Sequence, residues 1–214
     1  MAREGIPWVL GGFTATVLLL IFAQRFALDP LRYLGWGFAL LTILIAHFYR
    51  DPRRDPPQGR FLIVSPADGK VLEIERDILE NIYLQGQAWR VSLALSLWAV
   101  HINRIPLSGE IELIKHVPGS FWPAFSRRAP RKNEHNLVGI RAPEGKVLVK
   151  QMAGSLARRI VCRLQPKQSV SRGQKFGMIQ LGSRVDLFVP SGVELKVKRG
   201  DRLVGGETIV GVFR

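Results

Sequence analysis

The apolar positions fall into two regimes. From Ile6 to Ala23 the sequence IPWVLGGFTATVLLLIFA carries no charge, close to the roughly 20 residues that cross a hydrocarbon core as a helix. After the connector QRFALDPLR, a second apolar run, YLGWGFALLTILIAHFY, extends from Tyr33 to Tyr49 between Arg32 and Arg50. Two such runs so close together predict a membrane-anchoring helical hairpin over residues 1–50. Trp8, Tyr33 and Tyr49 lie toward the run ends, where amphipathic rings favour the membrane interface, and Trp36 lies a turn inside. A cleavable signal peptide competes for the first run. Against it stand a leading segment, MAREG, without net side-chain charge, the lack of a clean small-x-small site, and the second run itself. Arg50, Arg53, Arg54 and Arg60 follow the hairpin, against Arg25 and Arg32 in its connector, so the positive-inside bias puts the rest of the chain on the cytoplasmic face. A monotopic hairpin dipping into one leaflet leaves it on the same side.

RDPRRDPPQGR, at 50–60, combines proline, glycine and charge, which stops the helix and predicts a basic Pro-rich linker over 51–60. Its arginines suit anionic lipid, and a solvated linker is the plainer alternative. From residue 61 to 214 the period changes. FLIVS, KVLEIE, WRVSLALS, GEIELIKHV, NLVGIRA, KVLVKQM, MIQLG, VDLFVP and VELKVKRGD are short β-rich runs divided by turn signals such as PADG and PEG. SLARRIVCRL reads as a short helix or a strand edge. These runs predict a β-dominated α+β domain, a compact barrel or sandwich. ADGKVLEI and the closing VELKVKRGDRLVGGETIVGVF resemble the barrel-sandwich folds of lipoyl and biotinyl domains. No lysine at a hairpin tip suits a carrier, yet a non-enzymatic membrane adaptor or carrier-like module is the alternative to an enzyme.

Composition narrows this further. The formal net charge of +14 implies an anionic partner: nucleic acid, an acidic lipid surface or an acidic substrate. The basic residues are scattered and two membrane runs lead the chain, so a bilayer accounts for both features and nucleic acid for only one. Cys162 is the only cysteine, which excludes an intrachain disulfide and a Cys-rich metal site and reads as a small buried hydrophobe. There is no His-Glu-x-x-His spacing and no Gly-rich phosphate loop, so neither metal nor nucleotide is implied.

Four segments carry more specific information: SPADGKV at 65–71, VHINRIPLSGEI at 100–111, NEHN at 133–136 and GQKFGMIQLGSRVDLFVP at 173–190. In order and spacing they resemble the motif series of the phosphatidylserine decarboxylases, in particular the short membrane-tethered branch. The resemblance implies a proenzyme that cleaves itself between Gly182 and Ser183 into fragments 1–182 and 183–214, which stay associated. Serine brings a hydroxyl that can attack the preceding carbonyl, and glycine leaves that carbonyl unobstructed. Elimination and loss of ammonia then turn Ser183 into a pyruvoyl group. Its ketone forms a Schiff base with the substrate amine and accepts the electrons that decarboxylation leaves on Cα, so no separate cofactor is required. The implied reaction converts phosphatidylserine to phosphatidylethanolamine and CO2.

His101 in VHINRIP matches the family's histidine-and-proline segment and is the candidate base; Asp68 in SPADGKV matches its acidic residue and is suited to orient that imidazole. Asp-Gly is also a turn pair in its own right. The family's larger members carry His-x-x-His-x-Pro here, and Arg104 takes the second histidine's place, which leaves open the step that His101 serves. His135, Arg131 and Lys132 are candidate substrate-binding residues, with His116, Arg127 and Arg128 beside them, because guanidinium groups favour bidentate phosphate contacts. A homodimer is a further expectation. Soluble pyruvoyl decarboxylases of small amino acids are the competing enzymes, disfavoured because they need no anchor.

Overall fold

The computed structural model describes residues 1–123, 125–126, 128–155, 159–180 and 184–214. The chain divides into two compact units, Met1–Arg53 and Arg54–Arg214.

In the first unit, α1 (Ile6–Arg25) and α2 (Asp29–Phe48) form the expected pair, each long and apolar enough to cross a membrane. Trp8, Leu10, Phe13, Trp36, Leu40 and Ile43 are exposed, the arrangement of helices whose solvent is lipid. Small residues let the helices approach. A Cβ on Gly35 would lie 2.8 Å from Leu20 Cδ2, and Thr16 returns its hydroxyl to the Gly12 carbonyl at 2.8 Å.

The second unit is β-dominated. Its strands are β1 (Leu62–Val64), β2 (Gly69–Glu80), β3 (Gly86–Ala94), β4 (Ile102–Arg104), β5 (Gly109–Val117), β6 (His135–Ala142) and β7 (Gly145–Met152), with a short helix α3 (Ala129–Lys132) before β6. They continue with β8 (Ile160–Cys162), β9 (Ser169–Val170), β10 (Lys175–Ile179), β11 (Arg184–Pro190), β12 (Glu194–Leu195), β13 (Arg202–Leu203) and β14 (Ile209–Val212). An eight-stranded sheet in the order β13-β2-β3-β11-β7-β6-β5-β9 curls into a half-barrel. Two three-stranded sheets, β1-β14-β12 and β4-β10-β8, accompany it. The three share one core. Val91 and Leu93 on β3, Leu187 and Val189 on β11, Val149 on β7 and Ile140 on β6 pack with Ile63 on β1, Phe176 on β10 and Val210 on β14. Each such side chain contributes about 1.5–3 kcal/mol on burial.

Strand alternation sorts chemistry from core. On β3 and β11 the apolar partners Val91, Leu93, Val185 and Leu187 face inward, so Arg90, Ser92, Arg184 and Asp186 share the other face. SLARRIVCRL yields the strand β8; its residues 156–158 lie outside the described residues. Cys162, on that strand, is half-buried rather than fully buried, and burial pushes its thiol up.

The compact body begins at Arg54, ahead of residue 61, and the segment before β1 is not a free tether. Arg54 pairs with Asp68 at 2.9 Å and Glu207 at 3.4 Å, while Arg172 donates to the carbonyls of Pro57, Gly59 and Leu62 at 2.6, 3.0 and 3.1 Å. The expected use of Arg54 as a lipid contact is therefore corrected: its charge is spent within the body.

Candidate active site

Gly182 and Ser183 lie outside the described residues, as does Arg127. What the fold places is their surroundings. β10 ends at Ile179 and β11 begins at Arg184, so the dipeptide belongs to a short connection from a three-stranded sheet into the centre of the eight-stranded one.

His101 immediately precedes β4, and β4 pairs with β10 through Ile102 and Met178. The Ile179 amide donates to the His101 carbonyl at 3.3 Å, which fixes the histidine beside the strand that leads to the dipeptide. Its imidazole is fully buried, with Nδ1 2.9 Å from the Ala99 carbonyl. A carbonyl only accepts, so Nδ1 carries the proton, and Nε2 is the basic nitrogen of the neutral ring.

Asp68 stands elsewhere. Its Oδ2 accepts from Arg54 and its Oδ1 from the Gly205 amide at 2.7 Å, so it ties the 65–68 turn to the 204–206 turn. Among the described residues neither oxygen bonds to His101, and the direct relay expected between the two is not made. Arg104, at the second-histidine position, donates to the Gly173 carbonyl at 2.9 Å, linking β4 to the turn before β10.

The outer face of the large sheet holds an ionic cluster that sequence reasoning missed. Arg184, bonded directly to residue 183, donates Nε to Asp186 Oδ1 at 2.7 Å and Nη2 to Glu73 Oε1 and Ser92 Oγ, each at 2.6 Å. Arg90 meets Glu73 at 3.1 Å, pairs with Glu75, and places Nε 4.0 Å from Asp186 Oδ2. Burial raises the Glu73 carboxyl, but the Arg184 and Arg90 guanidiniums outweigh it and hold the group below the ordinary carboxylate value. Arg184 shifts upward: burial opposes its charge and the carboxylates of Asp186 and Glu73 prevail. The available signal was period two, since Arg90 and Ser92 in WRVSLA and Arg184 and Asp186 in SRVDLF occupy the polar phase of otherwise buried strands.

Over this cluster lies a cavity of about 490 Å³, bounded by Glu73, Arg90 and Arg184 on the sheet and by Phe125, Pro130 and Arg131 from the β5–β6 connection. Of the candidate substrate-binding residues, Arg131 borders the cavity, and Lys132 is exposed beside it on α3. His135 opens β6, its Nδ1 2.7 Å from the Asn133 carbonyl, and burial pulls its imidazole below the ordinary histidine value. His116 is exposed and faces Glu134 at 3.7 Å. Lys150 donates to the Pro130 carbonyl at 2.7 Å, and burial lowers its ammonium, with Asp186 opposing. A buried amide chain, Asn136 to Gln151 at 3.0 Å and Gln151 to Asn103 at 2.8 Å, couples the large sheet to the strand that follows His101. Among the described residues, no group of three His, Cys, Asp or Glu side chains is placed to hold a metal.

The comparisons with known proteins agree in one direction. The sequence profile of the family described as phosphatidylserine decarboxylase matches residues 41–211. Over the whole chain, identity is 37% with the phosphatidylserine decarboxylase proenzyme of Syntrophus aciditrophicus (strain SB), of which 97% is covered. With the proenzyme of the same description from Carboxydothermus hydrogenoformans (strain ATCC BAA-161 / DSM 6008 / Z-2901) identity is 41%, covering 99% of this chain and 95% of that protein. A third, from Chlorobium phaeobacteroides (strain DSM 266 / SMG 266 / 2430), is 43% identical over 92% of this chain and 91% of its own length.

Proposed function

We propose, from the premise that this chain belongs to the phosphatidylserine decarboxylase family, that it decarboxylates phosphatidylserine to phosphatidylethanolamine at a pyruvoyl group made from its own Ser183. The non-enzymatic adaptor reading has nothing to support it. The observation that carries the proposal is the β4–β10 pairing, which seats a buried imidazole, basic at Nε2, beside the strand that runs into Gly182 and Ser183.

In this reading, His101 accepts the Ser183 hydroxyl proton as Oγ attacks the Gly182 carbonyl carbon, and the peptide nitrogen leaves as the residue's amine. The resulting ester departs as the Gly182 carboxylate when the Ser183 Cα proton is removed. Water then replaces the nitrogen, which leaves as ammonia. The pyruvoyl group supplies a carbonyl for the substrate amine and a sink for the electron pair released with CO2. Asp68 acts as a positioning residue through the turn it fixes, and Arg131 and Lys132 hold the lipid phosphate at the cavity rim. His135, kept neutral by burial, adds no charge there at neutral pH.

The two fragments remain together because residues 184–214 are woven into the body. β11 lies between β3 and β7, β14 lies between β1 and β12, and Val185, Leu187, Val189 and Val210 are core residues. The helical pair anchors the enzyme, and Arg50, Arg53 and Arg60 place the catalytic body on the cytoplasmic face.

A denaturing gel with intact-mass analysis tests the proposal. The purified protein should resolve into residues 1–182 and a 183–214 fragment blocked at its N-terminus by a ketone. Ser183→Ala should remain one chain and release no CO2 from phosphatidylserine. Active material in which Ser183 is still amide-linked to Gly182 would refute the reading.

A further inference from the structure

At one end of the eight-stranded sheet the register lines up a row of residues across the strands. Lys70 on β2 faces Ala94 on β3, Ala94 faces Arg184 on β11, and Arg184 faces Met152 on β7. Met152 then faces His135 on β6, which faces Val117 at the end of β5. Neighbouring strands lie about 4.8 Å apart, so β3 to β5 is a front about 19 Å wide. Arg184, the residue bonded to Ser183, stands on β11, the second of its five strands.

Two long connections leave the sheet at this front, and both expose large apolar side chains. Leu97 and Trp98, between β3 and β4, are 47% and 66% exposed; Trp122 and Phe125, between β5 and β6, are 37% and 81% exposed. Cations accompany them. The Arg128 guanidinium lies 4.9 Å from the Trp122 ring centroid, and Arg131 and Lys132 are exposed on the same connection. Glu134 on the same connection is turned toward His116. At the opposite end of the sheet, Leu79 on β2 and Ile82 in the β2–β3 turn are exposed with the acidic Asp77 as a sequence neighbour, while the buried Glu80 accepts from the amides of Ile82, Tyr83 and Leu84.

Exposed tryptophan and phenylalanine interleaved with arginine and lysine are the composition of a surface that enters a bilayer interface. The rings have an apolar body, the indole a polar edge, and the cations complement anionic headgroups. We infer that this end of the sheet docks the catalytic body on an anionic lipid bilayer, with Leu97, Trp98, Trp122 and Phe125 entering the interfacial layer, independently of the helical pair. The mouth of the site then opens onto the surface that supplies the lipid, so a headgroup reaches the cavity without its acyl chains leaving the membrane. This deepens the lipid-decarboxylase reading, and its kinetic test rests on that reading; its optical test does not.

In the optical test, the full chain is reconstituted into vesicles of phosphatidylcholine and phosphatidylglycerol carrying bromine on their upper acyl carbons, and wild type is compared with W98F/W122F. Trp8, Trp36 and Trp89 are common to both proteins, so the difference spectrum reports Trp98 and Trp122. Docking predicts that this difference emission is quenched in anionic vesicles and much less in pure phosphatidylcholine. Unquenched difference emission in both overturns the docking, and equal quenching in both overturns its anionic selectivity.

In the kinetic test, L97S/W98S should lower kcat/KM about tenfold for phosphatidylserine in vesicles and leave it within about twofold for monomeric dihexanoyl phosphatidylserine. An equal fall on both substrates, or on neither, overturns the inference. A wild-type chain that shows the quenching but releases no CO2 from either substrate sinks the decarboxylase reading and leaves the docking standing.

Discussion

Asp186→Ala is the most informative single perturbation of the cluster around Arg184. The Asp186 carboxylate is 1% exposed and accepts from Arg184 Nε at 2.7 Å, and the Arg184 side chain is itself only 5% exposed. Removing the acid leaves a buried guanidinium whose remaining partners are Glu73, 41% exposed and so screened by solvent, and the neutral Ser92. Breaking one side of a buried pair costs about 3–5 kcal/mol, because the surviving charge stays desolvated. The partial compensation from Glu73 puts the expectation at the lower limit, about 3 kcal/mol. For a chain of this size that lowers Tm by about 6–12 °C. Replacing both partners, as R184M/D186L, removes charge and desolvation together and should cost less than half as much. The assay is thermal and denaturant unfolding in detergent micelles, with Ser183→Ala in every variant so that the chain stays single. If the double variant is as unstable as Asp186→Ala, or if the single change costs under about 1 kcal/mol, the buried pair does not carry the energy assigned to it.

Three further expectations test other parts of the molecule. Because the folded state holds the Glu73 carboxyl below its ordinary value, its contribution to stability is present above the unfolded-state value and is lost as pH falls through the depressed folded one; Glu73→Gln should flatten that part of the acid-unfolding curve, and superimposable wild-type and variant curves would contradict it. Arg172→Ala removes three carbonyl contacts that hold residues 57–62, so limited proteolysis should cut this segment at least about tenfold faster while the strand core stays protected; an unchanged cleavage rate counts against the clamp. Gly69→Ala would set its Cβ 2.7 Å from the Ala94 carbonyl oxygen and should destabilise the β2–β3 pair by about 1–3 kcal/mol, read as a shift of the denaturant midpoint; no shift would mean that the two strands separate there without penalty.

The division between what was legible and what was not follows from the range of each interaction. Local periodicity determined the elements. Runs at Ile6–Ala23 and Tyr33–Tyr49 became α1 and α2, and the alternating runs GEIELIKHV and KVLVKQM became β5 and β7 almost to the residue, because hydrogen bonding and side-chain direction repeat within a few positions. Motif order alone was enough for the family, and with it the candidates Gly182, Ser183 and His101. Partner choice was not local. Asp68 read as the orienter of His101, yet the fold commits it to Arg54 and Gly205, residues 14 and 137 positions away. The Arg184–Glu73 contact joins residues 111 positions apart, and the Arg172 clamp spans up to 115. Such contacts arise only when antiparallel register aligns distant strands, and a register slip of one residue would turn every polar side chain of β3 or β11 into the core. The sequence determined which residues carry charge and on which phase of a strand; the tertiary structure alone decided which charges meet.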